Sequence, residues 1–345
     1  EVFCYDNSRQ GDGFSRRLQA LAPNWRQIMD MGDATAAELI RSDRIDLLVD
    51  LSGHSAGNRL LIFARKPAPI QITWMGYLNT TGMTAMDYRI SDVEADPVGA
   101  DRWYSEKLLR LPRPQWCCMA PEGSRQRREL RERALDAPII FGCMARFMKV
   151  SDEAVALWIR LLRMLPDARL RIIDVPDHPR GDAVRSRFRE AGLDARTEFL
   201  STLRGEAYWN GFDEIDIALD PFPYTGATTT CDSLWMGVPV ITLAGPCGAA
   251  RSATSLLQGV GLGRLSASSP DEYIAAAIGL TRNRGDLAKL RNSLRKRLAR
   301  SPTCDPAAFT RDLERAFQRA WGRWCKRLST RENHTTPSSS EYPRT

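Results

Sequence analysis

What this chain lacks narrows it first. No apolar run in its 345 residues reaches the ~18 to 20 that a membrane-spanning helix needs, and residues 1–6 do not resemble a signal peptide. A cytoplasmic protein is the expectation. The eight cysteines, Cys4, Cys117, Cys118, Cys143, Cys231, Cys247, Cys304 and Cys325, contain no C-x-x-C pair and read as reduced core residues. Histidine is scarce: His54, His178 and His334 offer few nitrogen ligands and no H-x-x-x-H spacing, so no metal is expected. No helical repeat of about 34 residues is found. No methionine opens the chain, and 2–5 reads as a strand already under way. The expectation is a fragment that has lost at least one preceding element.

What is present suits a globular protein. The chain is 43% hydrophobic and 26% charged, with 24 Gly and 20 Pro, which excludes a chain disordered throughout and predicts about two domains. The formal net charge of +7, from 49 Lys plus Arg against 42 Asp plus Glu, could attract nucleic acid, an anionic membrane or a phosphorylated small molecule. Charge alone does not choose among these. Much of the excess is arginine on helical faces, where it solvates a surface, and no basic-aromatic surface motif argues for nucleic acid.

Short apolar runs at 2–5, 45–51, 70–77, 88–91, 108–111, 139–145, 170–174, 198–200, 215–219 and 238–243 predict strands. Helical patterns at 34–41, 58–65, 153–164, 183–191, 229–236, 252–259 and 270–280 lie between them. Strand and helix in alternation predict an α/β protein with parallel sheets covered by helices. The strands form two sets, separated at 121–138 by an arginine-rich stretch without strand pattern. The expected organisation is an N-terminal lobe at 1–120, incomplete at its start, a linker at 121–138, and a C-terminal lobe with terminal helices at 139–327. Ligand is expected in a cleft at the C-terminal strand edges. The terminal helices carry one apolar stripe of Leu287, Leu290, Leu294 and Leu298 and another of Phe309, Leu313, Phe317 and Trp321. Residues 328–345, rich in Ser, Thr and Pro, are expected to be disordered. The glycines of 259–263 follow a helix rather than a strand and predict a helix end, not a dinucleotide loop.

One segment carries chemistry. In IDIALDPFPYTGATTTCDSLWMGVPVITL (215–243) a buried strand ends at Asp220, a Pro and Gly loop turns, and three threonines open a helix that bears Asp232. Backbone N–H groups and hydroxyls at Thr228, Thr229 and Thr230 could hold a phosphate while Asp232 accepts from ribose hydroxyls. An ordinary helix cap with spare threonines is the competing reading. Elsewhere, His54 follows a buried strand in a glycine-flanked loop, where an imidazole could orient or deprotonate a hydroxyl or bind a sugar. Asp50 is placed to orient that ring. A histidine that merely satisfies loop carbonyls is the alternative.

The 215–243 segment resembles the C-terminal signature of the O-linked N-acetylglucosamine transferase and SPINDLY family, especially its bacterial members. Upstream, FGCMARFMKVSD (141–152), DLLVDLSGHSAGNR (46–59), RKPAPIQ (65–71), WMGY (74–77), MDY (86–88) and YSEKL (104–108) resemble further family motifs in order, from residue 1 to about 321. The resemblance implies a GT-B architecture, two Rossmann-like lobes facing a cleft, and inverting, metal-independent transfer of N-acetylglucosamine from UDP-GlcNAc to Ser or Thr hydroxyls of acceptor proteins. The absence of any D-x-D triplet agrees with this, and no cofactor is implied. Catalytic roles are implied for Lys149, against the leaving diphosphate, and for His54 with Asp50. Donor contacts are implied for Arg146, Leu203 through its backbone, Tyr208, Gly226, Thr228, Thr229 and Asp232. Family members carry tetratricopeptide repeats that hold the acceptor, which are expected in the parent of this chain.

Several positions depart from the family pattern. Tyr208 stands where a histidine is common, Gly205 at a lysine of animal members, Ala145 at an asparagine and Ala227 at a small hydroxyl residue or histidine. Leu78 and Asn79 replace a Pro-Gly pair, which leaves the shape of that loop to be determined. The departures keep two alternatives open: a relative using GDP-fucose or UDP-glucose, and a nucleotide-sugar-binding module without turnover.

Overall fold

The computed structural model describes residues 1–9, 11–119 and 137–335. Of the expected linker, 121–136 lie outside the described residues, as do 336–345 of the expected tail. The chain packs as two compact units: Glu1–Arg89, Ser105–Lys107 and the stretch from Ala320 onward form one, Ile90–Tyr104 and Leu108–Arg319 the other.

In the first unit β1 (Phe3–Asp6), α1 (Gly13–Leu21) and β2 (Asn24–Gln27) make a β-α-β step with parallel strands. After them come α2 (Asp33–Ser42), β3 (Leu47–Asp50), α3 (Leu60–Ala64) and β4 (Ile70–Thr73), and then β5 (Tyr88–Asp92) and β6 (Lys107–Leu111), which belong to this unit only up to Arg89 and at Lys107. β3, β4 and β5 pair in parallel, and the sheet order is β3-β4-β5-β6. β4 is buried at every residue, as a central parallel strand requires, while β3 alternates and buries Leu48 and Asp50. Ala36, Ala37 and Ile40 of α2 recur at helical spacing and pack with Ile28, Leu48, Leu60, Phe63 and Met86 into this unit's apolar core.

The second unit contains β7 (Ile140–Cys143), α4 (Asp152–Met164), β8 (Arg169–Ile172), α5 (Pro179–Glu190), β9 (Thr197–Phe199), α6 (Gly205–Asp213), β10 (Ile217–Leu219), α7 (Thr228–Trp235), β11 (Val240–Leu243), α8 (Ser252–Gly259), β12 (Ser266–Ala267), α9 (Pro270–Thr281) and α10 (Arg284–Ala299). Its sheet runs β9-β8-β7-β10-β11-β12 with every neighbouring pair parallel. The chain starts at β7 in the middle, steps outward through β8 and β9, and then builds the other half from β10. The direction of winding therefore reverses between β7 and β10, the point at which open α/β sheets leave a ligand crevice outside their C-terminal strand ends.

Alternation along the strands assigns the two faces. Phe141, Cys143, Ile217 and Leu219 face one core with Trp158 of α4, Phe188 of α5 and Tyr273 of α9. Ala218 and Val240 face another with Phe212, Leu234, Leu257 and the α10 stripe of Leu290, Leu294 and Leu298. Two polar contacts stitch the first core: Trp158 Nε1 donates to the Tyr273 hydroxyl at 3.2 Å, which donates to the Asp220 carbonyl at 3.3 Å. The last helix, α11 (Pro306–Thr335), runs past the expected end at Arg327. The 259–263 glycines end α8 as expected, with Gly261 at φ 70° and Leu262 N donating to Leu257 O at 2.8 Å. All eight cysteines are free, but only Cys143 and Cys231 are fully buried, so the expectation of core thiols holds for those two alone.

Candidate active site

In the second unit the segments that leave β7 and β10 meet. After β7 the chain makes a tight turn, Phe147–Lys149, held because Asp174 accepts from Phe147 N at 3.1 Å. Ser151 then caps α4 by accepting from Ala154 N. Lys149 thus stands on a turn before the helix. Its Nζ donates to the Thr225 carbonyl at 3.1 Å and lies 4.2 Å from the centroid of the Tyr224 ring. Partial burial lowers its pKa, against the opposing pull of Asp220.

The β10 loop is closed by Asp220. One carboxylate oxygen accepts from Gly226 N at 2.8 Å and the other from Thr242 Oγ1 at 2.7 Å. Burial pushes the Asp220 carboxyl up to about 6, although the Thr242 and Gly226 bonds and the charge of Lys149 all favour its ionised form. Gly226 has to be glycine. A Cβ there would lie 2.5 Å from Thr229 Oγ1 and 2.9 Å from an Asp220 oxygen.

α7 follows with Ala227 at its N-cap and no side-chain cap. Thr230 Oγ1 turns back to the Gly226 carbonyl, whereas Thr228 is exposed and Thr229 half-buried. The ordinary-cap reading of the threonines is therefore corrected, since none of them caps the helix; of the expected donors Thr230 is spent, its N–H on the Ala227 carbonyl at 3.1 Å and its hydroxyl on Gly226, which leaves Thr228 and Thr229 to an anion. Asp232, on the next turn, accepts from the Tyr208 hydroxyl at 2.8 Å, and burial raises its carboxyl to about 6. The Tyr208 ring packs edge-on against Trp209 and Phe212, and the Tyr208 hydroxyl is itself held well above its usual pKa, first by burial and then by the Asp232 charge. Leu203 packs its side chain against the same apolar cluster.

Arg146 is exposed and pairs with Asp174 at 3.4 Å at the start of the turn, whereas Lys149 reaches the 220–226 loop. Asp220, Tyr224 and Thr225 carry no assignment from the sequence. The strand-end position of Asp220 was the available signal.

A raised carboxyl pKa has a stability consequence. Asp232 holds its proton more tightly folded, near 6, than unfolded, near 3.8, so its contribution to stability is present at low pH and is lost as pH rises through that window. Asp232→Asn keeps an acceptor for Tyr208 and removes this titration. Urea unfolding at pH 4.5 and 7 is expected to show the variant gaining stability relative to wild type as pH rises. A pH-independent difference would contradict the raised pKa.

In the first unit β3 ends at Asp50, which is almost fully buried. Its carboxylate accepts from Ser52 N at 3.0 Å, from Gly53 N at 3.1 and 3.0 Å, and from Thr73 Oγ1 at 2.8 Å. The expectation that Asp50 orients His54 by contact is thereby corrected: its oxygens are spent on the loop, and it shapes the backbone on which His54 rides. Gly53, at φ 52°, brings that backbone against Tyr77, since a Cβ would lie 2.4 Å from Tyr77 Cβ. Gly76 makes a closer approach still, its would-be Cβ 1.9 Å from the Leu51 carbonyl oxygen. His54 itself is exposed, with Nε2 3.1 Å from the Thr81 carbonyl oxygen and its ring edge-on to Tyr77 at 5.3 Å. The loop-carbonyl reading is correct for Nε2. The 77–82 loop, despite Leu78 and Asn79, is well held, because buried Arg89 donates to the carbonyls of Tyr77 and Asn79 at 3.0 and 3.2 Å.

These features define a class. The parallel sheets and their winding are those of the GT-B fold; a glycosyltransferase from Rickettsia africae, 13% identical, superposes with a TM-score of 0.57 over 89% of this chain and 88% of its own. More narrowly, residues 1–118 and 121–313 match Glycosyl transferase family 41, and the chain belongs to that family. A mutant of the Thermobaculum terrenum O-GlcNAc transferase is similar at TM-score 0.85 and 40% identity, covering 95% of this chain and 63% of that one. A probable UDP-N-acetylglucosamine–peptide N-acetylglucosaminyltransferase SPINDLY from Hordeum vulgare is 39% identical over 307 residues, 87% of this chain and 32% of the relative. The probable SEC transferase of Arabidopsis thaliana is 28% identical over 99% of this chain and 36% of its own length. The chain thus spans about a third of the length of the curated relatives it matches. Among the described residues no helix is long and apolar enough to cross a membrane.

Proposed function

We propose that this chain transfers N-acetylglucosamine from UDP-GlcNAc to Ser or Thr hydroxyls of proteins, with inversion and without a metal or other cofactor. The observation that carries the reading is Lys149, a half-buried cation bonded to the loop between β10 and the uncapped start of α7. A diphosphate placed there gains a fixed positive charge and backbone N–H donors, and Asp232 offers its second oxygen to a ribose hydroxyl. In the transfer the acceptor oxygen bonds to the anomeric carbon from the face opposite UDP. The carbon–oxygen bond to UDP breaks, its electron pair leaves on the diphosphate, and the hydroxyl proton goes to His54. Lys149 offsets the charge that grows on the leaving group. Names of relatives support the donor and the acceptor class; the geometry supports the handling of charge.

Calorimetric titration with UDP, UDP-GlcNAc, UDP-glucose and GDP-fucose tests the donor. Binding of UDP and UDP-GlcNAc is expected, with both weakened in Lys149→Ala. Tight GDP-fucose binding with none for UDP-GlcNAc sinks the reading, and binding without any transfer to acceptor peptides marks a module without turnover.

A further inference from the structure

The loop that meets His54 is fixed from outside itself. The Thr81 carbonyl oxygen can only accept, so its 3.1 Å contact with His54 Nε2 puts the proton on Nε2 and leaves Nδ1 of the neutral ring with its lone pair. Thr81 is in turn held by Glu106. One Glu106 oxygen accepts from Thr81 N at 2.7 Å and from the Thr81 hydroxyl, and the other accepts from Thr80 Oγ1 at 2.8 Å. Glu106 is 3% exposed and Thr81 5%, so these bonds are shielded from water and cannot be replaced by it cheaply. Arg89, fully buried, takes the carbonyls of Tyr77 and Asn79. The cation thus collects loop carbonyls and the carboxylate collects loop N–H and hydroxyl groups, and between them the carbonyl of Thr81 is aimed at the imidazole.

We infer that Glu106 is a positioning residue for the transfer: by fixing Thr81 it fixes the tautomer of His54, and Nδ1 is the atom that receives the acceptor hydroxyl's proton. This rests on the reading of His54 as the base. The proton passes from the hydroxyl to Nδ1 while Nε2 keeps its own, so the ring becomes imidazolium with Nε2–H still donated to Thr81. Nothing in YSEKL (104–108) as a sequence indicates this; the role follows from where the Glu106 carboxylate lies.

The test is nitrogen NMR of the whole protein labelled at histidine, with His54→Gln to assign the ring, alongside transfer kinetics. Wild type is expected to show the Nε2–H tautomer at His54. Glu106→Ala removes the acceptor for Thr81 and is expected to give a tautomer mixture, with kcat down about tenfold, the low end for groups that orient a functional histidine, and donor KM little changed. Glu106→Gln can keep its oxygen on Thr81 and turn its NH2 to the Thr80 hydroxyl, so it should restore the tautomer and most of kcat. Should the alanine variant not fold, Thr81→Val removes one of the bonds to Glu106, keeps the backbone groups, and is expected to shift the ring in the same direction. A wild-type ring protonated on Nδ1, or a ring unmoved in Glu106→Ala or Thr81→Val, overturns the positioning role. An undiminished kcat in His54→Ala overturns instead the reading of His54 as base, whatever the ring spectra show.

Discussion

Lys149→Ala is expected to lower kcat for transfer by about 10²- to 10³-fold, the usual cost of removing one preorganised stabiliser of developing charge. The size follows from the environment. Nζ is half-buried, fixed by the Thr225 carbonyl and the face of Tyr224, and among the described residues it has no carboxylate partner at ion-pair distance. Burial already lowers its pKa, so an incoming diphosphate meets a poorly solvated cation that gains from the new negative charge. The gain grows as the sugar bond breaks and charge accumulates on UDP, which is why kcat should suffer more than donor binding. Lys149→Met keeps the stem and removes the charge, and should behave like the alanine variant. Single-turnover assays with saturating UDP-GlcNAc measure the step directly, and a near-normal kcat in either variant would show that the leaving group is stabilised elsewhere.

Gly76→Ala is expected to destabilise the first unit by about 3 kcal/mol, at the upper end for forcing atoms into a packed site. The would-be Cβ lies 1.9 Å from the Leu51 carbonyl oxygen, 2.5 Å from its carbon and 2.7 Å from Ser52 Cα, all backbone atoms. No side chain can rotate away to relieve the contact. The end of β3 must move, and with it the turn of Ser52 and Gly53 that Asp50 holds. Gly279→Ala is the control: nothing lies within 4 Å of its would-be Cβ, and in the interior of α9 alanine should stabilise by up to about 1 kcal/mol. Denaturant unfolding of the two variants should move in opposite directions. Equal and small shifts would mean that the Gly76 contact relaxes without cost.

Much of the fold was legible because burial on both sheet faces writes itself into sequence. The runs at 70–77 and 139–145 mark β4 and β7, and the stripe of Leu287, Leu290, Leu294 and Leu298 is buried as its spacing predicts. Four elements were not foreseen. α1 carries Phe14, Leu18 and Leu21 at helical spacing, but all three are exposed and the helix buries no residue. β2, with the sequence NWRQ, contains one apolar residue and is held by pairing with β1. α6 opens on a glycine and β12 has two residues.

The site divides along the same line. Lys149, Gly226, Thr228, Thr229 and Asp232 fall in continuous motifs, and the structure places them around the loop between β10 and α7. Asp50 was misjudged, since a carboxylate four residues from a histidine says nothing about where its oxygens point. Glu106 and Arg89 could not be found at all. Arg89 takes backbone carbonyls and Glu106 a backbone N–H and two threonine hydroxyls of a loop ten or more residues away, and nothing in the local sequence around either residue marks partners at that distance.

That brace of Arg89 and Glu106 bears on how the chain can change over evolutionary time. A loop whose course is dictated by its own Pro-Gly pair loses that course when the pair is replaced. Here the instructions for shape are written in β5 and just before β6, and the loop itself is released from carrying them. Asn79 and its neighbours can be exchanged without erasing the path that brings Thr81 to His54. Inheritance of the geometry around His54 and drift of the surface beside it are thereby uncoupled, and a library randomised at position 79 should yield folded proteins far more often than one randomised at 89 or 106.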